Sequence, residues 1–287
     1  MSKLFKQYYV LTKPGIIYGN SIAVIGGFFL AERGHFNLQL FLATLLGSAL
    51  IMASACVFNN YIDRDIDVLM KRTKIRALVT GEVTTLSALV YASILGILGV
   101  TSLIVFTNYL TTLIGIIGFI TYVIIYGWWK RRSAFGTIIG SIAGAVPPLA
   151  GYTAVTNHLD IGAVLVFLIM VLWQMPHFYS IAIFRRDDYT HASIPVLPVS
   201  RGVETTKRHI LAYLIAYLLV SPLLTLFGYT GYTYAAAVLL MSMLWLWRYY
   251  SGLHTTDAKL WARKLFTTSL IVMLISSVML CLGPVLP

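Results

Sequence analysis

Seven stretches of this chain contain no lysine, arginine, aspartate or glutamate, and each is long enough to cross a lipid bilayer as a helix. They cover residues 14–31, 36–62, 83–129, 133–159, 161–184, 210–247 and 265–287. Two of these stretches have room for two crossings, with turn residues near their middles at Thr107-Asn108 and from Gly228 to Gly231. The pattern predicts an all-α, polytopic membrane protein with nine transmembrane helices. These are expected at about 14–32, 38–60, 84–106, 110–129, 136–155, 160–179, 209–227, 232–249 and 265–285.

The composition excludes a soluble domain of this length. Of the 287 residues, 59% are hydrophobic and only 11% are charged, and the mean hydropathy is +0.83. The opening residues show neither a cleavable signal pattern nor an organelle transit peptide. Cys56 and Cys281 lack metal-ligand spacing and are interpreted as packing residues. We therefore expect a single integral membrane domain over residues 1–287.

The basic residues are divided very unevenly between the two sides of the predicted bundle. The formal net charge of +11 would by itself be compatible with nucleic-acid binding. When the connections are assigned alternately, however, 20 of the 21 Lys and Arg residues fall on one side, and only Arg33 falls on the other. By the positive-inside rule, the N-terminus is cytoplasmic and, with nine crossings, the C-terminus is outside. The basic excess thus reflects topology, and nucleic acid is not an expected partner.

Three oxygen-bearing side chains, Asn59, Asp63 and Asp67, stand four residues apart where the second predicted span ends. On a helix this spacing places them on one face, over about 12 Å. Carboxylates held together at membrane level repel each other unless a cation lies between them. Magnesium prefers a few carboxylates together with phosphate oxygens. The pattern therefore predicts an enzyme that binds magnesium and a diphosphate substrate at the membrane surface.

The loop that follows, about residues 61–83, is rich in basic side chains. Arg72 and Arg76 lie within a turn or two of the acidic face, and guanidinium groups bind phosphate oxygens in bidentate fashion. Both also fit a solvated juxtamembrane helix whose charges serve only orientation. Because they accompany the acidic face, we interpret them as diphosphate ligands. Asp65 points away from that face and is expected to pair with a neighbouring Arg or Lys.

A second polar loop, about residues 180–208, contains two arginines followed by two acids, Arg185, Arg186, Asp187 and Asp188. These residues fit the opposite side of a diphosphate site, and they fit equally well a neutralised surface turn. The residues alone leave both interpretations open. Because polar groups concentrate in this loop and the preceding one, we expect the active site to open to the cytoplasm.

The fourth predicted span closes with Tyr126 and Lys130 on one helix face, where a hydroxyl and an ammonium group can bind one anion. The two tryptophans between them are typical of an interfacial aromatic belt. In the next span glycines recur every four residues, which indicates close helix packing rather than chemistry. These are Gly136, Gly140 and Gly144.

Four further polar residues lie within or beside the predicted spans. Lys13 precedes the first span and is within reach of a cytoplasmic phosphate. Asn20 lies deeper, and a lone asparagine within a membrane most often forms a hydrogen bond between helices. Gln174 and His177 lie in the sixth span, and His177 is the one histidine of six at membrane depth. A buried histidine is usually hydrogen-bonded packing. Beside a Gln, a Trp and a Pro at the end of a span, it also fits a contact to a haem edge or haem iron.

Taken together and in this order, these motifs resemble the intramembrane prenyltransferase superfamily, whose best-known members prenylate 4-hydroxybenzoate. The resemblance covers essentially the full length. It rests on Asn59, Asp63 and Asp67, on Arg72 and Arg76, on Tyr126 and Lys130, and on the acidic stretch after the sixth span. Within the superfamily, four segments are similar to the haem o synthase (protohaem IX farnesyltransferase) family. They are residues 12–15 with Asn20, 59–67, 172–177 and 194–199.

The resemblance implies nine helices, catalytic loops on the cytoplasmic side and Mg²⁺ as the cofactor. It implies catalytic roles for Asn59, Asp63, Asp67 and Lys130, and metal binding by Asn59, Asp63, Asp67 and Asp188. It implies substrate binding by Lys13, Asn20, Arg72, Arg76, Tyr126, Gln174, His177, Arg185, Arg186 and Asp188. One departure concerns the second aspartate pair of quinone-type members, whose two positions here hold Arg185 and Tyr189. That metal site is therefore not preserved residue by residue. The resemblance assigns metal binding there to Asp188 in preference to Asp187.

The implied reaction joins farnesyl diphosphate to a vinyl group of haem b, adds water and releases diphosphate, so haem b is a substrate rather than a cofactor. The implied location is the cell (inner) membrane, and direct transfer of the product to a downstream haem-modifying or oxidase-assembly protein is left open. A quinone-type aromatic prenyltransferase shares every diphosphate residue and differs in its acceptor. A transporter predicts charges near helix midpoints and internal repeats, neither of which is evident. An electron-transfer subunit needs paired axial ligands, which one histidine cannot supply.

Overall fold

The computed structural model describes residues 3–253, 255 and 257–287. Within these ranges we number the long helices in chain order. They are α1 (Pro14–Glu32), α2 (Leu38–Ile62), α3 (Thr85–Phe106), α4 (Tyr109–Trp129), α5 (Gly136–Thr156), α6 (Ile161–Phe184), α7 (Val203–Leu226), α8 (Tyr232–Tyr250) and α9 (Ala258–Leu282). Eight of the helices in these ranges are long and apolar enough to cross a membrane. The remaining long helix, α8, has a similar length, but its tyrosines, tryptophans and Arg248 make it less hydropathic.

These helices confirm the predicted all-α, polytopic membrane class. The count of nine crossings and the orientation in the membrane stay predictions, because length and composition identify only eight candidate spans in the described part of the chain. A short helix, Lys3–Leu11, precedes α1.

Three helices extend beyond their predicted spans. α6 continues to Phe184, α7 already begins at Val203, and α9 already begins at Ala258. Charged residues marked the starts of the predicted spans of α7 and α9, whereas α6 ends with its charge-free stretch at Phe184. Lys, Arg and Glu are nevertheless good helix formers, so a helix continues past the edge of its apolar segment. Apolar patterning therefore located the spans but not the ends of the helices.

The connections between helices use capping side chains and a turn glycine. Asn108 accepts a hydrogen bond of 2.8 Å from the backbone N–H of Thr111 and caps α4, at the first predicted turn. Asp160 caps α6 in the same way through Ala163. At the second predicted turn, Gly228 has a φ of +74°, which glycine adopts without a steric penalty.

The two longest connections lie at the same end of the bundle. Their short helices are Arg64–Asp67 and Ala77–Thr80 after α2, and Arg186–His191 and Leu197–Ser200 after α6. Met70 of the first connection packs with Ala192 and Ile194 of the second in a small apolar cluster. The two polar loops identified from the sequence are therefore neighbours.

Glycine brings α1 and α5 into contact backbone to backbone. A Cβ at Gly27 would lie 2.0 Å from the carbonyl oxygen of Pro148, and a Cβ at Gly151 would lie 2.1 Å from that of Val24. No side chain larger than hydrogen fits at such a distance, so these helices cross where both lack a side chain. We call this crossing of Gly27 and Gly151 the α1–α5 contact.

The helices surround a cavity of about 690 Å³. Residues of α1, α2, α4, α5, α6 and α9 line it, together with the two long connections. Charged side chains lie at the end formed by the connections. Deeper in the bundle the lining is largely apolar and includes Ile51, Phe119, Met170 and Met273. The cavity is thus suited to a molecule with a charged end and an apolar body.

Candidate active site

The acidic face predicted from the sequence lies at the charged end of the cavity. α2 ends at Ile62, but the backbone N–H of Asp67 donates to the carbonyl oxygen of Asp63 at 2.8 Å, so a further helical turn follows. Asn59, Asp63 and Asp67 therefore stay on one side of the chain, where all three are buried and line the cavity. We call these three residues the acidic ladder.

Both carboxylates of the acidic ladder form ion pairs. Arg76 Nη1 donates to Asp67 Oδ2 at 2.5 Å, and Lys130 Nζ donates to Asp63 Oδ2. Because an unpaired buried carboxylate is costly, these cations stabilise the charged side chains at membrane level. Burial in turn lowers the pKa of the Lys130 ammonium from its ordinary value.

The donors that remain on the ladder fit a magnesium ion. Within the described residues, no three His, Cys, Asp or Glu side chains lie close enough to hold a metal by themselves. Asp63 Oδ1, however, is buried and has no hydrogen-bond partner, with only Arg131 at 3.7 Å. Magnesium needs one or two carboxylates when phosphate oxygens complete its coordination. The site therefore suits a metal ion that binds together with a diphosphate.

Lys13 reaches the acidic ladder from the segment before α1. It has a φ of +54°, a left-handed conformation that residues other than glycine rarely adopt, directly before Pro14. Its Nζ donates to Asn59 Oδ1 at 2.6 Å. Burial lowers the pKa of this ammonium group to about 8. A bound anion would favour the charged form that burial disfavours.

Positive charge exceeds negative charge around the cavity. Five basic residues, Lys13, Arg72, Arg76, Lys130 and Arg185, and three acidic residues, Asp63, Asp67 and Asp188, line it. A surplus of two positive charges in a pocket with low-dielectric walls attracts a polyanion.

Asp65 lies outside the cavity, as its helical position predicted. Its carboxylate accepts hydrogen bonds of 2.7 and 2.8 Å from the guanidinium group of Arg131, which confirms that it pairs with a neighbouring basic residue. This pairing lowers the pKa of Asp65 from its ordinary value. Arg131 also donates to the carbonyl oxygen of Ile62, so it connects the end of α2 to the end of α4.

A π-helical segment, Thr121–Tyr126, interrupts α4 just before its end. The wider turn stacks Tyr122 on Tyr126, with ring centroids 5.6 Å apart, and both rings line the cavity. Lys130 Nζ lies 5.2 Å from the centroid of the Tyr126 ring. The predicted pairing of Tyr126 and Lys130 on one face is therefore present. Tyr122 was not among the predicted site residues, although a spacing of four residues places it on the same helix face as Tyr126.

The predicted glycines of α5 make room for two side chains of the cavity. A Cβ at Gly140 would lie 3.0 Å from the Tyr126 ring, and a Cβ at Gly144 would lie 2.0 Å from Gln174 Oε1. The amide of Gln174 donates to the carbonyl oxygens of Ser141 and Met170 at 3.0 and 3.1 Å. The close packing expected of these glycines thus serves the lining of the site itself.

His177 and Asn20 line the deeper part of the cavity. His177 is 9% exposed, and its Nδ1 lies 2.7 Å from the hydroxyl oxygen of Ser269 on α9. The Trp173 ring stacks on the imidazole with centroids 4.7 Å apart. Asn20 donates to the carbonyl oxygen of Ile16 within its own helix, rather than to another helix. Nothing in the sequence pointed to Ser269.

The second polar loop contributes only part of its predicted residues. Arg185, Asp188 and Tyr189 line the cavity, whereas Arg186 and Asp187 are exposed and do not. The structure therefore does not bring Arg186 to the cavity beside Arg185, and its predicted role in substrate binding stays a prediction. Successive residues of a helix point about 100° apart, so positions 185, 188 and 189 face inward together while 186 faces solvent. Burial raises the pKa of the Tyr189 phenol, a residue that the sequence reading did not include in the site.

Residues 20–277 match the UbiA prenyltransferase family, which leaves only short terminal segments outside the match. The chain belongs to this family. The membership confirms the resemblance to intramembrane prenyltransferases that the motifs indicated.

Two relatives match nearly the full chain. A protein named protoheme IX farnesyltransferase from Photorhabdus laumondii is 50% identical over 285 residues, which cover 99% of this chain and 97% of that protein. A protein of the same name from Yersinia pseudotuberculosis is 51% identical over 278 residues, which cover 96% of this chain and 94% of that protein.

Solved structures have the same fold at low sequence identity. A digeranylgeranylglyceryl phosphate synthase superposes with a TM-score of 0.80 at 19% identity, over 99% of both chains. A UbiA homologue from Archaeoglobus fulgidus, bound to GPP and Mg²⁺, gives a TM-score of 0.72 at 16% identity, over 96% of this chain and 99% of that chain. The arrangement of helices described above is thus that of the UbiA family.

Proposed function

We propose that this UbiA-family protein transfers the farnesyl group of farnesyl diphosphate to a vinyl group of haem b, with addition of water, and releases haem o and diphosphate. The observation that carries the proposal is a cavity whose positively charged end continues into an apolar interior that contains His177. Such a cavity suits a prenyl diphosphate together with a flat, largely apolar acceptor. The names of the relatives at 50% identity support haem b as that acceptor.

The charged end of the cavity is the proposed site of the departing diphosphate. When the allylic carbon–oxygen bond breaks, negative charge develops on the leaving group. Donors that are already in place stabilise this charge without reorganisation. Lys13, Arg76 and Lys130 converge there from three different segments of the chain, and Arg72 and Arg185 line the same end. We assign diphosphate binding to these five residues.

Magnesium is the proposed cofactor, and the acidic ladder, with Asp188, is the group that would hold it. The unpartnered Asp63 Oδ1 supports this assignment, as does the Mg²⁺ in the homologue from Archaeoglobus fulgidus. A bound magnesium ion would supply further positive charge to the leaving diphosphate. Lys130 and Arg76 form ion pairs with the two carboxylates of the ladder, so protein cations already balance their negative charge.

The apolar interior is the proposed site of the farnesyl chain. A farnesyl cation must be protected from bulk water until it meets the vinyl carbon. Phe119 lines the cavity in its apolar interior, and Tyr122 and Tyr126 line it closer to Lys130. Their ring faces are suited to stabilise the cation electrostatically. We assign acceptor binding to the opposite wall, where Gln174 and His177 lie.

We place the protein in the cell (inner) membrane, with nine crossings, a cytoplasmic N-terminus and an active site that faces the cytoplasm. The one-sided distribution of Lys and Arg supports this orientation. A downstream haem-modifying or oxidase-assembly protein is included in the proposal as the recipient of haem o.

Product masses test the proposal directly. The purified full chain in lipid nanodiscs is incubated with farnesyl diphosphate, Mg²⁺ and either haem b or 4-hydroxybenzoate. We expect the mass of haem o, a hydroxyethylfarnesyl derivative, with haem b and no prenylated product with 4-hydroxybenzoate. Prenylation of 4-hydroxybenzoate alone would instead establish a quinone-type enzyme with the same diphosphate site.

A further inference from the structure

A hydrogen-bond relay fixes which nitrogen of His177 carries the proton. Ser269 Oγ lies 2.5 Å from the carbonyl oxygen of Phe266 and 2.7 Å from His177 Nδ1. A carbonyl oxygen can only accept, so the single hydroxyl proton of Ser269 goes to Phe266. The Ser269 oxygen must then accept from Nδ1–H of His177. In the neutral ring this leaves a free lone pair on Nε2.

The free nitrogen belongs to a ring at the wall of the cavity. His177 lines the cavity, whereas Ser269 is fully buried behind it and does not. Within the described residues, Nε2 has no hydrogen-bond partner. The Trp173 and Phe266 rings lie 4.7 and 4.8 Å from the imidazole, at shallow angles of 26° and 38°. The Phe178 ring makes a further T-shaped contact with the imidazole at 5.4 Å. The two more nearly parallel rings limit stacking on the imidazole, so we expect a ligand to approach the ring at its edge, where Nε2 lies.

Ser269 also fixes the position of the helix that carries His177. The indole N–H of Trp173 donates to the carbonyl oxygen of Ser269 at 2.9 Å. Trp173 and His177 of α6, four residues apart, therefore both donate hydrogen bonds to Ser269 of α9. This double contact prevents both rotation of the imidazole and sliding of α6 along α9.

We propose that Nε2 of His177 is the axial ligand of the haem iron, and that Ser269 is a positioning residue that sets the tautomer and orientation of the ring. The inference rests on the proposed function, because it assigns an atom to the haem substrate. A neutral imidazole that donates its other N–H to an oxygen is the usual form of a metal-binding histidine, and the hydrogen bond makes the ring a stronger donor to the metal. An edge nitrogen of a cavity-lining imidazole matches axial ligation, whereas the Trp173 and Phe266 rings already pack against the imidazole where a haem would stack.

The first test is spectroscopic and needs no turnover. Full-length protein in nanodiscs is loaded with ferrous haem b in the absence of farnesyl diphosphate, and the iron–histidine stretching band is recorded by resonance Raman spectroscopy. We expect the band in the wild type and its loss in His177→Gly. Added imidazole fills the space left by the side chain and restores an iron–imidazole band.

The second test separates positioning from packing. Ser269→Ala removes the acceptor of Nδ1–H, so the iron–histidine band shifts to lower frequency and haem b binds about tenfold more weakly. The matched control is Ser276→Ala. Ser276 is a buried serine of α9 whose hydroxyl lies 2.8 Å from Tyr217 OH and has no contact with His177. The control leaves both the band and the affinity unchanged.

Each outcome decides the proposal. A wild type that binds haem b without an iron–histidine band overturns it, as does a band that survives in His177→Gly. An unchanged band in Ser269→Ala removes the positioning role, and this variant carries the test if His177→Gly fails to fold.

Unchanged haem binding in His177→Gly, with a product that lacks the added water, would make Nε2 an acceptor for that water instead. Wild-type conversion of haem b to haem o without the band would overturn the ligand assignment and leave the proposed function intact, whereas absence of both binding and product would overturn the function.

Discussion

The ammonium group of Lys13 donates a 2.6 Å hydrogen bond to the amide oxygen of Asn59, across 46 residues of chain. The contact joins the strained backbone before α1 to the first position of the acidic ladder. It also places a third cation beside the two that pair with the carboxylates. The charged end of the cavity is therefore assembled from segments that are far apart in the sequence.

Replacement of Lys13 should weaken diphosphate binding. Lys13→Met keeps the length of the side chain and removes its charge. The KM for farnesyl diphosphate is expected to rise roughly tenfold, the usual effect of losing one hydrogen bond to a charged group. Steady-state kinetics with haem b at saturation measure the effect. The control is Lys6→Met, at an exposed residue of the helix Lys3–Leu11, and an equal rise in both variants would contradict the assignment.

Loss of the ladder carboxylate should affect the chemical step. Asp63→Asn preserves shape and removes the charge that Lys130 and the metal ion would share. We expect kcat to fall by roughly 100-fold or more. Asp187→Asn makes the same substitution at an exposed acid that pairs with Lys259 and should stay within twofold of wild type. Wild-type turnover by a folded Asp63→Asn protein would disprove the role of the ladder.

The two neighbouring arginines of the second loop should behave differently. Arg185→Ala removes a side chain that lines the cavity, and the KM for farnesyl diphosphate should rise roughly tenfold. Arg186→Ala removes an exposed side chain and should change the KM less than twofold. Each variant serves as the control for the other, because the two substitutions are identical in type and lie at adjacent positions. The reverse order of effects would mean that the short helix is rotated in the substrate complex.

Chelation of divalent cations should abolish turnover. The donors of the ladder fit magnesium only in the company of phosphate oxygens, so we expect farnesyl diphosphate binding and metal binding to depend on each other. Calorimetric titration of the chelated enzyme with farnesyl diphosphate, before and after Mg²⁺ is restored, measures this coupling. Equal affinity in both states would argue against a shared site.

A methyl group at the α1–α5 contact should destabilise the bundle. Gly27→Ala places a Cβ 2.0 Å from a carbonyl oxygen, so the helices must separate, at a cost of about 1–3 kcal/mol or more. The melting temperature in detergent should fall accordingly. On the same helix, a Cβ at Gly19 would meet its nearest atom at 3.9 Å, so Gly19→Ala should leave the melting temperature within the error of the measurement. Equal stability of both variants would refute the close crossing.

The sequence predicted those features that repeat along a single helix. Apolar windows located the spans because the thickness of a bilayer fixes their length, and a spacing of four residues placed Asn59, Asp63 and Asp67 on one side. The same rule predicted that Asp65 would point away. Helix ends were less accurate, because charged residues mark the membrane edge but do not stop a helix, as α9 shows with its start at Ala258.

Contacts between distant segments were beyond the reach of local patterns. Nothing near Lys13 indicates that its ammonium group reaches Asn59, and nothing near Ser269 indicates a partner on α6. The inward rotation of Arg185 relative to Arg186 depends on where a short helix begins after α6. The π-helical turn that aligns Tyr122 with Tyr126 likewise has no periodic signature, because it is a single wider turn within an otherwise apolar helix.

The backbone crossing of Gly27 and Gly151 has a consequence for the membrane as an insulator. A hollow that contains five cations and three carboxylates would conduct protons or ions if water filled it from one face to the other. Where two helices meet without side chains between them, there is no gap for a water column. The close crossing therefore leaves no path for water or ions between α1 and α5.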